Sequence, residues 1–438
     1  MITKQKSSSQ LGFYSTFEEQ LDHKHPLYIL GNTIDWDVFE KAFTKHYSLT
    51  MGAPSKPIRL MVSLLILKQV RNLSDESVVE QWAENSYFQY VSGQDCFCST
   101  PPCAATELIE FRKRIGEEGI ELIFKESIRI NGKDAQEASL CGDTTVQEKN
   151  ITYPTDDKLY KKIIAKCWKM AEKEGIELRQ SYKPTIKKLK IIQRLKRNKG
   201  GIAKARKASK KIKTIAGRLT RELERKLTVK GLEKYGTELE LFHRVLNQKR
   251  TDSDKIYSLH EPQVKCMSKG KEHKKYEFGS KASLLKTLTT NVIVGAMNFE
   301  ENVHDSKTLQ PTLDQYERLT GQEAEEVYLD RGYPGLKQIG NTQIHIPKPN
   351  KNITKSQRNK HKRRAAIEPV IGHLKQNYRL GRNFLKGSFG DSVNLMLAAA
   401  AMNFKRMMNK WKLAKASFVH FLNCIFKLIF HQLIFKIG

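Results

Sequence analysis

Cysteine is sparse and unpatterned in this 438-residue chain. The seven cysteines are scattered, and the one close group, Cys96, Cys98 and Cys103, lacks a fourth Cys or His at zinc spacing. That leaves no zinc cage and no disulfide framework, so the thiols read as reduced ones in a cytosolic protein. The first residues, Met-Ile-Thr-Lys-Gln-Lys-Ser-Ser-Ser, hold no apolar run, so no secretion signal is expected. Negative charge also falls short. Asp and Glu number 47 against 77 Lys and Arg, a net charge of +30 and a pI near 9.7. A merely soluble basic protein would show the same totals, but such an excess concentrates phosphate polymers around the chain and speeds encounter with them. Apolar residues are not lacking: 39% of the chain, with 15 Tyr, 19 Phe and 4 Trp, excludes wholesale disorder. The length predicts two or three domains.

Residues 34–130 read as helical. Ile58–Arg71 is apolar-periodic, Asn72-Leu73-Ser74 interrupts it, and Ser74 is a candidate N-cap for a helix reaching about Asn85 with Asp75 and Glu76 in its first turn. Two helices around a short turn suit a helix-turn-helix, and equally any small bundle. Ala105–Gly116 and Ile120–Ile130 add two more helical stretches. From Ala138 the pattern changes to a buried strand, Ala-Ser-Leu-Cys-Gly-Asp-Thr-Thr-Val-Gln. Residues 181–230 then hold 19 Lys or Arg and only two acids, Glu222 and Glu224. Gly200-Gly201 divides this run into two flanks of helical composition. A run this basic is not expected to form a packed core. It is a helical hairpin or arm laid on phosphates, a solvated face, or a segment disordered when unbound.

Strand signals resume after Tyr257, with Tyr276–Thr287 and Asn291–Met297 joined by a tight turn. Asp305–Leu319 reads as helix, Glu326–Leu329 and Gln343–Ile346 as strands, Lys360–Tyr378 as one helix and Ser392–Trp411 as another. That order predicts a mixed α/β fold. Residues 417–437 are rich in Phe, Ile and Leu and nearly long enough to span a bilayer. However, His420, Asn423, Lys427 and His431 recur at steps of three and four along one stripe. The stripe predicts an amphipathic tail over 413–438, packed on the protein or a partner, and no membrane span.

Three acids carry the candidate chemistry. Asp143 lies inside an apolar strand, where a buried carboxylate needs a metal or hydrogen bonds. Asp330, in Val-Tyr-Leu-Asp-Arg-Gly-Tyr-Pro-Gly, follows a strand and precedes Gly332, where a positive φ would end the strand sharply and leave the carboxylate at its carboxyl end. Either Asp alone is equally a strand-ending or turn residue. Glu368 lies on the 360–378 helix with Arg364 and Lys375 four and seven residues away, and His361 one turn earlier, all on one face. An ordinary salt bridge on a solvated helix would look similar. The opposite positions, Ala366, Val370, Leu374 and Tyr378, are apolar enough to bury, and Pro369 disturbs the helix beside Glu368.

In this order the segments resemble bacterial insertion-sequence transposases of the DDE type. The match is to the branch (the IS-five-like group) that marks its last acid with Tyr-x2-Arg-x3-Glu-x6-Lys. Arg364-x3-Glu368-x6-Lys375 has that spacing, with His361 where the family usually has Tyr. Asp143-Thr-Thr-Val-Gln-Glu and Leu329-Asp-Arg-Gly-Tyr-Pro-Gly resemble the segments around the other two acids. His260-Glu-Pro-Gln-Val and Lys274-Lys-Tyr-Glu-Phe-Gly extend the likeness, which covers roughly residues 20–412.

The resemblance implies an α/β fold with an RNase H-like mixed-sheet core over 135–157 and 250–412. The remaining parts would be an all-helical DNA-binding domain over 1–130 and a basic helical insertion over 158–249. It implies Asp143, Asp330 and Glu368 as catalytic ligands of Mg²⁺, with Mn²⁺ able to substitute. DNA contacts are expected from His361, Arg364, Lys375 and Arg331, from Lys269, Lys271 and Lys274 beside Lys275, and from Lys188, Lys196, Arg197, Lys207, Lys210 and Lys211. The implied partners are double-stranded transposon ends and target, bound by a homodimer or larger assembly in the cytoplasm, at the nucleoid. Two alternatives remain open: a catalytically silent DNA-binding protein, which the His361 departure allows, and a metal-dependent nuclease that cuts without joining.

Overall fold

The computed structural model describes residues 16–48, 50–268, 275–347 and 354–434, with side chains as far as 413. Seven helices come first: α1 (Phe17–Gln20), α2 (Pro26–Thr33), α3 (Trp36–Thr44), α4 (Ile58–Val70), α5 (Asp75–Glu84), α6 (Ser86–Val91) and α7 (Ala105–Ile130). Strand β1 (Ser139–Glu148) precedes helices α8 (Asp156–Lys173), α9 (Lys183–Arg194), α10 (Gly201–Lys226) and α11 (Val229–Asn247). Then come β2 (Lys265–Ser268), β3 (Tyr276–Thr287), β4 (Ile293–Phe299), α12 (Asp305–Thr320), β5 (Glu326–Tyr328), β6 (Gln338–Ile339) and β7 (Thr342–His345). Helices α13 (Lys355–Arg364), α14 (Ile367–Asn377) and α15 (Gly387–Ile434) close the chain. It divides into two compact units, one of residues 1–148, 281–299 and 303–438, the other of 149–280 and 300–302.

In the first unit β1 neighbours β3 on one side and pairs parallel with β5 on the other. Beyond β5, β7 pairs parallel and β6 antiparallel, while β4 returns antiparallel beside β3. The mixed α/β order read from the sequence is present. The N-terminal helices pack against α15, which also lies on β4, so helices and sheet share one core. Asn403 on α15 fastens this junction. Its Oδ1 accepts from the Ile293 N–H at 2.9 Å and its Nδ2 donates to the Ile293 carbonyl at 2.8 Å. Nearly every residue of α4 is buried, because Leu, Met, Val and Ile fill all of its faces. The α4–α5 pair is therefore packed into a helical bundle. Ser74 caps α5 as expected, its Oγ accepting from the Ser77 N–H at 3.0 Å. The two stretches expected over 105–130 are present within α7, as two helical segments that meet at a break at Gly116, whose φ of 65° and ψ of -170° are not helical.

A buried ion cluster locks α4, α5 and α7 together. Asp75 takes both forks of Arg112 at 2.8 and 2.7 Å and Lys68 Nζ at 2.7 Å. Burial alone would raise the Asp75 carboxyl, but the two cations hold it at about 2, below its ordinary 3.8. This contribution to stability is complete above pH 3.8 and disappears as pH falls through about 2. Asp75→Ala strands two buried cations, so a loss of about 3–5 kcal/mol in urea unfolding at neutral pH is expected.

The second unit is a helical bundle. Its centre is α10, which buries Ile212, Ile215, Leu219 and Leu223 against α8, α9 and α11. The 181–230 run is the hairpin the sequence allowed, made of α9 and α10 around Gly200 at φ 70°. The expectation that it forms no packed core is corrected. Its apolar residues recur at steps of three and four, so one face of each helix packs while lysines and arginines extend to solvent from the other. In the same unit β2 pairs antiparallel with Tyr276–Gly279.

Helix α15 extends as far as Ile434, well past the expected Trp411. The tail side chains, including His420, Asn423, Lys427 and His431, lie outside the described residues, as do Lys269, Lys271 and Lys274. Among the described residues no helix is long and apolar enough to cross a membrane.

Candidate active site

Strand pairing brings Asp143 and Asp330 to one edge. Cys141 on β1 stands opposite Tyr328 on β5 in a parallel pair. Asp143 and Asp330 each follow two residues later, Asp143 still within β1 and Asp330 just past the end of β5, so both lie side by side on the face that carries Cys141 and Tyr328. That face is covered by α14, whose Ile367 packs in one buried cluster with Cys141, Leu288 and Tyr328. Glu368, next to Ile367, is exposed in the first turn of α14. The Asp143 carboxylate is held by its neighbour, Oδ1 accepting from the Thr144 N–H at 2.7 Å. Asp330 Oδ1 accepts from the Gly332 N–H at 2.8 Å, which turns the chain directly after the strand.

Gly332 is needed for space and not for a left-handed turn, which corrects the sequence expectation. Its φ is not positive; the left-handed residue in this loop is Gly335, at φ 86°. A Cβ at 332 would lie 2.9 Å from Asp330 Oδ1 and 3.2 Å from Oδ2 of another acid, Asp305. Sequence reasoning passed over Asp305 because it opens α12, where an acid is an ordinary first-turn residue. Its Oδ1 accepts from Thr144 Oγ1 at 2.8 Å and from Lys281 Nζ at 2.9 Å. Tyr333 marks the convergence. Burial first, then the negative charges of Asp143 and Asp305, push its phenol well above the usual tyrosine range; Thr308 pulls the other way, and Asp330 adds a smaller push. One buried ring thus feels all three aspartates.

The helix over 360–378 is not continuous, a second correction. It breaks at Ala365–Ala366 into α13 and α14. Pro369 has no N–H for residue 365 and its ring would press on that carbonyl, so a new helix starts with Pro369 in its first turn, where a donor is not missed. Arg364 therefore ends α13 while Glu368 opens α14, and Lys375 lies two turns further along. Of the expected buried positions, Val370, Leu374 and Tyr378 are buried. Burial raises the Cys141 thiol on β1, and the positive charge of Lys286, then that of Arg364, pulls it back.

The second basic position, His361, packs edge-on against Tyr328 at 5.2 Å, and Tyr328 stacks on His345. Burial first, then His345 and Arg364, lower the His361 pKa, so the ring is neutral at pH 7. Beneath it, Glu326 accepts from Ser139 Oγ at 2.5 Å and Tyr328 Oη at 2.8 Å and pairs with Lys360. Burial opposes the charge, but these partners hold the Glu326 carboxyl at about 2. The network ties α13 to β1 and β5 and so sets where Arg364 stands.

Asp143, Asp330, Asp305 and Glu368 offer carboxylate oxygen alone, a donor chemistry suited to a hard divalent cation. Among the described residues no three His, Cys, Asp or Glu stand close enough to hold a metal as a set. In the second unit the predicted cations gather differently. Lys188, Lys196, Arg197, Lys207, Lys210 and Lys211 are all exposed. The last three, with Arg218, line a cleft of about 510 Å³ closed by Gln180, Tyr182, Thr185, Thr214 and Ile215, with no acid on its wall.

Residues 243–404, which carry Asp330, Glu368 and Asp305, match the family described as Transposase DDE domain, and residues 15–114 match Transposase domain (DUF772). The chain belongs to the DDE transposases. A curated relative of this transposase, "Uncharacterized protein ORF8 in nfe locus" from Rhizobium meliloti, is 40% identical over 187 residues, which is 41% of this chain and 90% of that protein. No solved structure matches the transposase.

Proposed function

We propose that this transposase binds the terminal inverted repeats of an insertion sequence and catalyses metal-dependent strand cleavage and strand transfer. It would belong to the branch with the Arg-x3-Glu-x6-Lys signature and carry the reaction on an RNase H-like core. The observation that carries this is the meeting of Asp143 and Asp330 at one edge of parallel β1 and β5, with Glu368 opening the helix laid on the same face. Asp143, Asp330 and Glu368 would hold Mg²⁺, with Mn²⁺ as substitute, supplying Lewis-acid activation of the attacking water or 3′-hydroxyl and stabilising the leaving oxygen.

The chain's own residues do the rest. Exposed Arg331, beside Asp330, together with Arg364 and Lys375 neutralises phosphate oxygens. His361, neutral and packed on Tyr328, serves as a wall and carries no charge to the phosphate. Tyr333 and Ile367 close the apolar floor. The cleft and exposed face of α9 and α10 take the duplex backbone of transposon ends and target, and the helices before residue 130 contribute to end recognition. Assembly would be as a homodimer or larger complex on cytoplasmic, nucleoid-associated DNA.

The test uses the full chain, linear DNA bearing the repeats that flank its own gene, and Mg²⁺ or Mn²⁺. Nicking at the repeat ends followed by joining to a second duplex is expected. Binding without any cleavage would favour the silent DNA-binding protein, and cleavage without joining the nuclease.

A finer variant probes the crowded edge. Gly332→Ala places a methyl against the Asp330 and Asp305 carboxylates and displaces one of them. Cleavage is expected to fall roughly a hundredfold, the order found when reacting groups shift by about an ångström. The thermal midpoint and DNA affinity should stay near wild type, because Gly332 is half-buried in a loop. An unchanged cleavage rate would remove Gly332 from the site.

A further inference from the structure

Asp305 is a fourth acid at the edge already described, and two independent contacts tie it there. Its Oδ1 receives the hydroxyl of Thr144, the residue whose N–H holds Asp143 Oδ1, so one threonine links the two carboxylates. The same Oδ1 receives Lys281 Nζ, which also donates to the Val303 carbonyl; the lysine side chain is only 12% exposed. The other oxygen, Oδ2, faces Asp330 Oδ1 across Gly332. A further observation points into this cluster. Tyr333 Oη is buried and makes no hydrogen bond of normal geometry, although it lies within charge reach of Asp143, Asp305 and Asp330. Three acids thus crowd a partly dry edge beside one largely buried lysine.

We propose that the Thr144–Asp305–Lys281 group is a positioning device for the acidic edge, in which Asp305 orients Asp143 through Thr144 and the Asp305–Lys281 pair sets how strongly the edge attracts a divalent cation. This rests on the active-site reading above and deepens it. Asp305 is a positioning residue here, since it acts through Thr144 and through its charge. The two partners act in opposite senses. Removing the Asp305 charge leaves Lys281 to repel a cation from Asp143 and Asp330, whereas removing the Lys281 charge leaves an additional net negative charge facing it.

The opposition supplies the test. Mn²⁺ alone is titrated into the full chain and free Mn²⁺ is followed by electron paramagnetic resonance, for wild type, Asp305→Asn, Lys281→Met and the double variant. Asp305→Asn keeps an oxygen for the Thr144 hydroxyl and should bind Mn²⁺ about tenfold more weakly. Lys281→Met should bind it more tightly by a similar factor, and the double variant should return close to wild type. A purely structural role would weaken both single variants and compound in the double. Weakening in both, or no change in either, overturns the proposal while wild-type binding and cleavage stand. Absence of Mn²⁺ binding and of cleavage in wild type overturns the active-site reading, and this inference with it.

Discussion

Asp143→Asn should lower Mg²⁺-dependent cleavage of end DNA roughly a thousandfold or more, the order of loss when one group stabilising developing charge is removed. The amide keeps an oxygen for the Thr144 N–H that now fills Asp143 Oδ1, so β1 has no reason to unfold. Affinity for the transposon end should stay within a few-fold, because the proposed backbone contacts lie on other residues. Asp330→Asn should behave alike, since its Oδ1 likewise meets a backbone N–H, that of Gly332. Glu368 is exposed in the first turn of its helix, so Glu368→Gln should show the loss of cleavage with the least change in stability. Measuring single-turnover cleavage beside gel-shift affinity separates these effects. Full cleavage by either Asp variant would remove that acid from the chemistry.

The second large effect concerns salt. Replacing Lys207, Lys210, Lys211 and Arg218 with Gln removes four exposed cations from one face of α10 and leaves its packed residues Ile212, Ile215, Leu219 and Leu223 untouched. Every phosphate no longer neutralised by a cation should flatten the plot of log affinity against log salt by about 0.9, so the four substitutions together should flatten it by roughly three to four. Affinity at about 0.1 M salt should fall by roughly a hundredfold or more, whatever the DNA sequence. Mn²⁺ binding by the acidic residues should be unaltered. A slope unchanged by the four substitutions would take the α10 face off the DNA.

Much of this site was legible in the chain, for reasons that differ residue by residue. The strand before Asp330 is a short apolar run ended by Asp-Arg-Gly, and such local punctuation survives folding. The same holds for Ser74 as a cap and for the paired strands over 276–299. Asp305 was not legible. At the start of a helix an acid is common, and nothing nearby in sequence tells of Thr144, 161 residues earlier, or of Lys281. The break at Ala365–Ala366 was half legible: Pro369 marks a disturbance, but where the helix restarts depends on Ile367 finding the pocket between Cys141 and Tyr328. The basic run was read from its charge and not from its apolar period, which is why its buried face was missed.

What the sequence determined by itself is local: the helix and strand periods, the charge surplus of the 181–230 hairpin, and the identity and spacing of Asp143, Asp330, Glu368, Arg364 and Lys375. What only the tertiary structure decided is which of these meet. The parallel register of β1 and β5 carries two acids from distant parts of the chain side by side, and the packing of Ile367 lays the helix that carries Glu368 on the same face. The crowding at Gly332 adds Asp305. The reason is physical: periodicity and capping act within a few residues, whereas carboxylates are brought together by sheet pairing and core packing, which join residues of any separation.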